Sequence, residues 1–279
     1  MAVPIVTKAP ELKTIVATWR AADARVALVP TMGALHEGHL SLVRAARPHA
    51  ARVAVSIFVN PTQFGPNEDF SRYPRDLEGD RAKLGDAADL IYAPDVKDMY
   101  PEGGKGGIVV GGPSAGLESD FRPGHFMGVA TVVARLFQHC QPDVAMFGEK
   151  DYQQLLVVKR LVRDLNMKIE IVGVPTVREA DGLAMSSRNA YLSPEERKIA
   201  GQLNQVLKDV AARAKSGTAI DTAESEGAAK LLNAGFMRVD YVAVRDTETL
   251  QSIRTLERPA RILAAAYVGK TRLIDNLAI

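Results

Sequence analysis

Short apolar runs rich in β-branched residues alternate with longer segments of helical periodicity through the first 176 residues. The short runs predict strands at 25–30, 52–59, 89–93, 143–147 and 168–174, and the segments between them predict helices at 39–47, 75–88, 125–140 and 151–165. Parallel strands need crossover connections such as these, and strands that are apolar almost throughout are typical of a sheet covered on both faces. The pattern predicts a doubly wound α/β domain over 1–176, with its ligand site at the carboxyl ends of the strands.

Two further segments change this picture. The glycine-rich stretch 94–124 is predicted to be mostly loop, with one more strand at 108–110. After residue 174 a polar loop over 176–191 precedes predicted helices at 194–215 and 221–233 and three strand-like runs at 239–244, 260–268 and 273–277. The expected fold class is therefore α/β, with a doubly wound, Rossmann-like parallel sheet and a second, smaller α+β C-terminal domain over 177–279.

Composition and charge narrow the classes of partner. Lys and Arg number 35 against 33 for Asp and Glu, so the net charge is only +2, which argues against a duplex nucleic-acid surface. The one cysteine, Cys140, cannot form an intrachain disulfide, and the first eight residues lack the basic and then apolar order of a secretory signal. The longest strongly apolar run, 262–268, is too short to span a membrane. We expect a cytoplasmic protein with neither nucleic acid nor membrane as a partner.

The segment 30–39, PTMGALHEGH, lies where a predicted strand passes into a helix. Gly33 and Gly38 permit close approach of a ligand to the backbone, and N–H groups at a helix start can bind phosphate oxygens. His36 and His39 share a helix face, and two imidazoles there suit negative charge developing on a phosphoryl group. The pair could instead cap the helix or bind a metal, although the spacing of three residues differs from the zinc-protease pattern.

Two other segments carry groups that suit an anion. In 182–189, GLAMSSRN, two hydroxyls stand beside Arg188, whose guanidinium can bind phosphate in a bidentate manner, although the segment could also be an ordinary polar linker. In 147–154, FGEKDYQQ, Lys150 lies at another strand end, and Gln154 follows one turn later. A lysine in the first turn of a helix opposes the helix dipole unless an anion is present, although the segment could simply be a solvated helix start.

The three segments together resemble the HIGH/KMSKS nucleotidyltransferase superfamily and, within it, the pantoate–β-alanine ligase family. The resemblance also includes SIFVNPTQFGPNEDFSRYPR at 56–75 and FRPGHFMGVATVV at 121–133, in the family's order. It implies an ATP-dependent enzyme that joins (R)-pantoate to β-alanine through a pantoyl adenylate and releases AMP and pyrophosphate. It also implies Mg²⁺ bound to the triphosphate and a homodimer. Because an acyl adenylate hydrolyses if water reaches it, we expect the C-terminal domain to close over the ATP site.

The same resemblance implies roles for particular residues. The groups around the triphosphate would be His36, His39, Lys150, Ser186, Ser187 and Arg188. The ATP site would be lined by these and by Met32, Gly33, Ala34, Leu35, Glu37, Gly38, Gly148, Glu149, Asp151, Val177 and Met185. Pantoate would contact Pro30, Met32, Asn60, Gln63, Phe64, Val132, Val133 and Gln154, although Val132 and Val133 suit plain helix core equally well. Arg122 and His125 are candidates to bind the β-alanine carboxylate or to guard the entrance of the site.

Other classes of function remain open at this point. A different adenylyltransferase would share the histidine turn but would need no amine acceptor. A nucleotide-binding regulator would keep the glycine turns without catalysis. A tRNA-charging enzyme would need a basic anticodon-reading domain, and a dehydrogenase is disfavoured because the glycines at 103–107 lack a preceding strand and the G-x-G-x-x-G spacing.

Overall fold

Six parallel strands form the larger sheet of the protein, seen here in a computed structural model. They are β1 (Ile5–Val6), β2 (Val26–Thr31), β3 (Arg52–Ile57), β4 (Leu90–Tyr92), β5 (Val144–Gly148) and β6 (Glu170–Val174). The strand order is β1-β4-β3-β2-β5-β6, and every neighbouring pair is parallel. The predicted doubly wound sheet is confirmed, with β1 as an edge strand that the apolar pattern did not predict.

The structure describes residues 2–66, 68–101, 103 and 106–279. The chain divides into two units, one of Met1–Glu149 with Gln154–Pro175 and the other of Lys150–Gln153 with Thr176–Ile279. Over the described ranges, no helix combines the length and the apolar character that crossing a membrane requires.

Seven helices connect the strands of the described first unit. They are α1 (Ala9–Ala21), α2 (Glu37–Ala46), α3 (Leu77–Leu84), α4 (Val96–Met99), α5 (Glu118–Phe121), α6 (His125–Cys140) and α7 (Tyr152–Asp164). One face of α2 packs Val43 and Ala46 against strand residues such as Val29 and Val55, all without exposed surface. The predicted helix 75–88 is shorter in the structure, because the Asp76 side chain caps its start and Gly85, at a φ of +51°, ends it.

The prediction of a strand at 108–110 is wrong. This described stretch pairs with no strand, and the N–H of Ile108 donates instead to the Thr131 hydroxyl on α6, at 2.8 Å. A short β-branched run bonded to a helix side chain satisfies its backbone without joining a sheet.

The order in which the chain adds strands to the sheet reverses between β2 and β5. From β2 the chain passes through α2 to β3 on one side, and it later returns to the other side of β2 at β5. Open α/β sheets bind ligands outside the carboxyl ends of the strands at such a switch point. The residues that follow Thr31 and Gly148 are therefore the natural place to look for a site.

Every residue of the second unit from Thr176 onward is described, and this part contains a small antiparallel sheet and three α-helices. The helices are α8 (Pro194–Ala200), α9 (Gln202–Lys215) and α10 (Ile220–Asn233), and the strands are β7 (Arg238–Asp246), β8 (Ala260–Val268) and β9 (Thr271–Ala278), ordered β7-β8-β9. Leu203 and Leu207 of α9, Leu231 of α10 and Ile262 of β8 belong to one buried cluster. The predicted α+β architecture is confirmed.

The helix predicted over 194–215 is interrupted at Gly201, which separates α8 from α9. Glycine is a poor helix former, and a Cβ at this position would lie 2.5 Å from Oδ2 of Asp181. The apolar period continues across the break, which is why the sequence pattern predicts a single helix.

Candidate active site

The turn after β2 is held in place by two side chains of α3. Gly33 and Ala34 adopt positive φ values of +83° and +51°. Asp80, whose side chain is 1% exposed, accepts hydrogen bonds from the N–H groups of Ala34 and Leu35 at 2.9 and 2.7 Å. Lys83 Nζ donates to the Leu35 carbonyl at 2.8 Å. Hydrogen bonds to two N–H groups and one carbonyl of the turn thereby hold its positive-φ backbone in place.

Asp80 was not predicted from the sequence as a site residue. Burial raises the pKa of its carboxyl above the usual range, although the two backbone hydrogen bonds and Lys83 act in the opposite direction. A Cβ at Gly33 would lie 3.0 Å from Oδ2 of Asp80, so the turn also needs a glycine there. Asp80 lies 46 residues from its partner Ala34 along the chain, and no local pattern marks it.

The two histidines form a reciprocal cap at the start of α2. His36 Nδ1 accepts the N–H of Gly38 at 3.1 Å, and His39 Nδ1 accepts the N–H of His36 at 3.3 Å. The two rings lie with their centroids 4.1 Å apart. An Nδ1 that accepts a main-chain N–H carries no proton, so each neutral ring must carry its proton on Nε2. The cap thus fixes both imidazoles as Nε2–H tautomers.

The capping alternative for this pair is therefore what the geometry shows. Four main-chain N–H groups of this turn and helix start have protein acceptors, at Ala34, Leu35, His36 and Gly38. Leu35 itself is packed in the core of the first unit. Among the described residues, no group of three or more His, Cys, Asp and Glu could hold a metal ion. If this turn binds phosphate, its imidazole groups are the better candidates than its backbone.

The loop after β3 is organised by the buried side chain of Asn60. Only 1% of Asn60 is exposed, and its Nδ2 donates to Gln63 Oε1 at 3.0 Å and to the Gly128 carbonyl at 3.2 Å. Its Oδ1 accepts from the Tyr100 hydroxyl at 2.7 Å and from the N–H and hydroxyl of Thr62. Asn60 was predicted to contact substrate, and here its polar atoms have protein partners.

Gln63 is oriented by these contacts. Since Asn60 donates to its Oε1, the amide must direct Nε2 elsewhere, and Nε2 lies 3.2 Å from the Met32 sulfur. The structure therefore brings together two residues predicted to bind pantoate, Met32 and Gln63. Gly128 of α6 lets the helix approach, because a Cβ there would be 2.3 Å from the Thr62 carbonyl oxygen.

Arg122 and His125 brace the same loop. Arg122 makes two contacts of 2.7 Å with the Glu68 carboxylate, and its Nη1 lies 3.2 Å from Nε2 of His125. His125 Nδ1 donates to the Gln63 carbonyl at 2.9 Å. Burial lowers the pKa of His125 to about 4, so the ring is neutral at pH 7. Both side chains predicted for the β-alanine carboxylate are engaged with this loop.

The remaining residues predicted for pantoate have mixed environments. Val132 and Val133 are buried within α6, as the helix-core alternative predicts. Phe64 packs edge-on against Phe70, with ring centroids 5.4 Å apart. Pro30 and Gln154 are half-buried, at the end of β2 and in the first turn of α7.

The second unit contains Lys150 and Asp151 of one segment predicted to bind ATP and all of the other segment, 185–188. Lys150 follows β5 in a short 3-10 turn, Glu149–Asp151, and its Nζ lies 3.9 Å from Asp151 Oδ1. The other segment leaves a tight hairpin in which the N–H of Met185 donates to the Val177 carbonyl at 3.0 Å. These two residues, both predicted to line the ATP site, are thus direct neighbours.

The serine–arginine segment, residues 185–188, leads into a 3-10 turn, Ser187–Tyr191. The Ser186 hydroxyl accepts the N–H of Arg188 at 3.2 Å and caps this turn. At the turn of the hairpin, Arg197 lowers the pKa of the Asp181 carboxyl through their hydrogen bonds. The start of this segment is therefore ordered by a side-chain cap.

The switch point and the paired imidazoles after β2 define a doubly wound α/β protein whose first unit suits a phosphorylated ligand. A model of the pantoate-beta-alanine ligase family matches residues 4–278. A pantothenate synthetase from Rhodospirillum rubrum is 57% identical over 280 residues, covering 100% of this chain and 99% of that protein. One from Mesorhizobium japonicum is 55% identical, covering 99% of this chain and 97% of that protein.

Solved structures agree with these relatives. The crystal structure of pantothenate synthetase from Thermus thermophilus is 52% identical with a TM-score of 0.90, covering 99% of each chain. A pantoate-beta-alanine ligase from Francisella tularensis, described as complexed with beta-gamma ATP and beta-alanine, is 35% identical with a TM-score of 0.84, covering 99% of this chain and 97% of that one. The chain belongs to the pantoate–β-alanine ligase family.

Proposed function

We propose that the protein is an AMP-forming ligase that condenses pantoate with β-alanine in the cytoplasm. The observation that carries this proposal is the match of one family model over residues 4–278, which contain every segment of the candidate site. The geometry adds physical support, because the histidine turn and the Gln63 loop are ordered by buried hydrogen bonds before any ligand arrives. Preorganised donors of this kind are what catalysis by charge stabilisation requires.

In the first step, a carboxylate oxygen of pantoate attacks the α-phosphorus of ATP. An acyl–oxygen–phosphorus link forms, the bond to the β-phosphate oxygen breaks, and pyrophosphate leaves. The carboxylate is already ionised at neutral pH, so the step needs charge stabilisation and alignment rather than a general base. In this proposal the Nε2–H groups of His36 and His39 act with Lys150, Ser186, Ser187 and Arg188 on the phosphates.

Gln63 and Gln154 are proposed to hold the hydroxyl groups of pantoate. Gln63 suits this role because Asn60 fixes which end of its amide is the donor. Asn60 would then act on pantoate through Gln63 rather than by touching it. Pro30, Met32 and Phe64 would face the dimethyl group, with Val132 and Val133 supporting that wall from inside α6.

In the second step, the neutral amine of β-alanine attacks the acyl carbon of the adenylate. A carbon–nitrogen bond forms, the bond from the acyl carbon to the AMP oxygen breaks, and the amine loses a proton. We assign that proton to the departing phosphate or to solvent, since Arg122 is already protonated and burial lowers the pKa of His125 to about 4, which makes it a weak base.

Mg²⁺ is proposed to enter with ATP. Magnesium usually keeps several waters and binds nucleotide phosphates with one or two carboxylates, rather than a cage made by the protein. The described residues provide no such cage. When bound, the ion would neutralise phosphate charge beside the imidazoles.

Two features of organisation complete the proposal. Residues 1–176 would bind ATP and pantoate, and residues 177–279 would act as a lid that excludes water from the adenylate. Cleavage by a protease near Gly182 should become slower with ATP and pantoate, and equal rates would contradict closure. The assembly is proposed to be a homodimer, which light scattering of the purified protein can test.

The direct test is incubation with ATP, Mg²⁺, pantoate and β-alanine, with detection of pantothenate by mass. The proposal expects AMP and pyrophosphate in equal amounts and product only when both organic substrates are present. Pyrophosphate release that ignores β-alanine, with the AMP group retained on an adenylated product and no amide formed, would indicate a different adenylyltransferase.

A further inference from the structure

A buried carboxylate on β9, Asp275, holds the hairpin that leads into the serine–arginine segment. Its side chain is 1% exposed and accepts hydrogen bonds from Nη1 and Nη2 of Arg178 at 2.8 and 2.9 Å. Asn204 Nδ2 donates to the same carboxylate at 3.1 Å. A bidentate arginine–carboxylate pair in a buried setting defines distance and direction together.

Arg178 transmits this anchorage to the hairpin. Besides Asp275, its Nη1 donates to the Gly182 carbonyl at 3.0 Å, across the turn of the hairpin. Its backbone pairs with Ala184, one residue before Met185. The carboxylate therefore restrains both sides of the hairpin immediately before the segment 185–188.

The next residue on β9, Asn276, holds the Lys150 segment. Its Nδ2 donates to the Lys150 carbonyl at 2.8 Å, and its Oδ1 accepts from Arg261 Nη1 at 2.6 Å. The Arg261 guanidinium lies 3.7 Å from the centre of the Tyr152 ring, two residues beyond Lys150. Three consecutive contacts thus connect β9 with residues 150–152.

Side chains of successive strand residues point to opposite faces, so two neighbours can reach two different segments. We propose that Asp275 and Asn276 are positioning residues for the ligase reaction, which set Lys150 and the segment 185–188 in a fixed relation to each other. The inference rests on the proposed function, in which both segments act on the same phosphates. A displacement of about 1 Å in such groups can cost roughly 100-fold in rate.

The second unit offers a matched control for Asp275. Asp240 on β7 also has a fully buried carboxylate, paired with Nε of Arg238 and Nε of Arg272 at 2.9 and 2.8 Å. It belongs to the same small sheet, and neither arginine partner lies in a predicted ATP-binding segment. D275N and D240N therefore make the same chemical change in similar surroundings, and only the first touches the proposed positioning contacts.

The test measures pantoate-dependent pyrophosphate release, the KM for ATP, and calorimetric binding of ATP with Mg²⁺ for both variants. We expect D275N to lower kcat about 10- to 100-fold and to raise the KM for ATP, while D240N stays within about two-fold at a similar thermal midpoint. Equal losses in the two variants would overturn the inference, because they would show general destabilisation of the sheet.

Two further variants keep the test decisive if D275N does not fold. R178K keeps the charge but loses the fork that pairs with Asp275, and N276L removes the donor to the Lys150 carbonyl. Each should weaken ATP binding more than D240N does, and activity close to that of the unmodified protein in both would overturn the inference. Failure of the proposed function is distinguishable, because the unmodified protein would then release no pyrophosphate with pantoate.

Discussion

Each unit anchors its candidate phosphate-binding segment with a buried carboxylate, directly in the first unit and through an arginine in the second. In the first unit, the Asp80 carboxylate bonds directly to two main-chain N–H groups of the histidine turn. In the second, the Asp275 carboxylate acts through the Arg178 guanidinium on the hairpin before residues 185–188. In both segments a polar side chain caps the helical turn that follows, His36 in one and Ser186 in the other.

The Asp80 carboxylate is one of several side-chain acceptors along the histidine turn, whereas the Asp275 carboxylate acts on the hairpin that precedes residues 185–188. Every peptide from Gly33 to His36 in the histidine turn donates to a side chain. Beyond the hairpin, the segment 185–188 is held by the Met185 N–H and by the amide of Asn189, which donates to the Ala184 carbonyl at 3.1 Å. We infer that the histidine turn of the first unit is preorganised by its own hydrogen bonds for a bound phosphate.

The largest effect should come from His39. H39A should reduce adenylation about 100- to 1000-fold, because it removes the Nε2–H donor from the proposed phosphate site. H39N retains an acceptor for the His36 N–H and should be as inactive but more stable than H39A. Pyrophosphate release and thermal unfolding measure the two effects, with H49A on the same unit as control. Near-normal turnover of H39A would remove this histidine from the mechanism.

The next effect tests the direct anchor of the turn. In D80N one carboxylate oxygen becomes an NH₂ group that faces a main-chain N–H, so two donors meet in a buried site. We expect a loss of about 1–3 kcal/mol in unfolding free energy and a fall in kcat larger than that of D275N.

D89N is the matched control for D80N. Asp89 accepts the N–H of Val53 at 2.8 Å and pairs with Arg47, beside the amino end of β4 and away from the site. It should lose stability without a comparable loss of turnover. If D80N and D89N were equally active, the idea of a preorganised turn would fail.

A smaller effect is expected where α6 meets the loop after β3. The methyl group of G128A would lie 2.3 Å from the Thr62 carbonyl oxygen, so the loop carrying Gln63 must move. We expect a loss of about 1–3 kcal/mol in stability and a raised KM for pantoate, with the KM for ATP little changed. G111A is the control, since nothing lies within 4 Å of a Cβ there. Equal changes in both KM values would contradict a local effect.

The last effect concerns the pH dependence of stability. His125 has an ordinary pKa of 6.5 when unfolded and about 4 when buried beside Arg122, so the unfolded chain binds more protons between these pH values. Stability should therefore decrease as pH falls through this window, by up to about 3 kcal/mol. Glu118 and Glu68, which also face this ring, oppose the shift. H125N still donates to the Gln63 carbonyl but cannot titrate. Its unfolding free energy, measured with denaturant at several pH values, should therefore fall less steeply as the pH is lowered. An unchanged dependence of stability on pH would contradict the assignment.

Sequence patterns predicted the fold well where an element has one continuous apolar face. α6 and β8 have the predicted bounds, because their residues are buried almost throughout. α1 was not predicted, and only Leu12 and Val16 of its thirteen residues are buried. The break at Gly201 was not predicted, because the apolar periodicity continues through it.

The candidate site was predictable only in part. Local motifs indicated the histidine turn and the serine–arginine segment, since their chemistry is contained in a few consecutive residues. The anchors are different, because Asp80 and Asp275 lie 46 and 97 residues from the groups they hold. No short-range pattern distinguishes such a carboxylate from those on the surface.

The central claim is that a pantoate oxygen becomes bonded to the α-phosphorus of ATP. It is tested most directly by supplying pantoate labelled with ¹⁸O in both carboxylate oxygens, together with ATP, Mg²⁺ and β-alanine, and weighing the products. The account predicts one ¹⁸O in AMP and one in the amide carbonyl of pantothenate. Unlabelled AMP, or label recovered in inorganic phosphate alongside ADP, would contradict it.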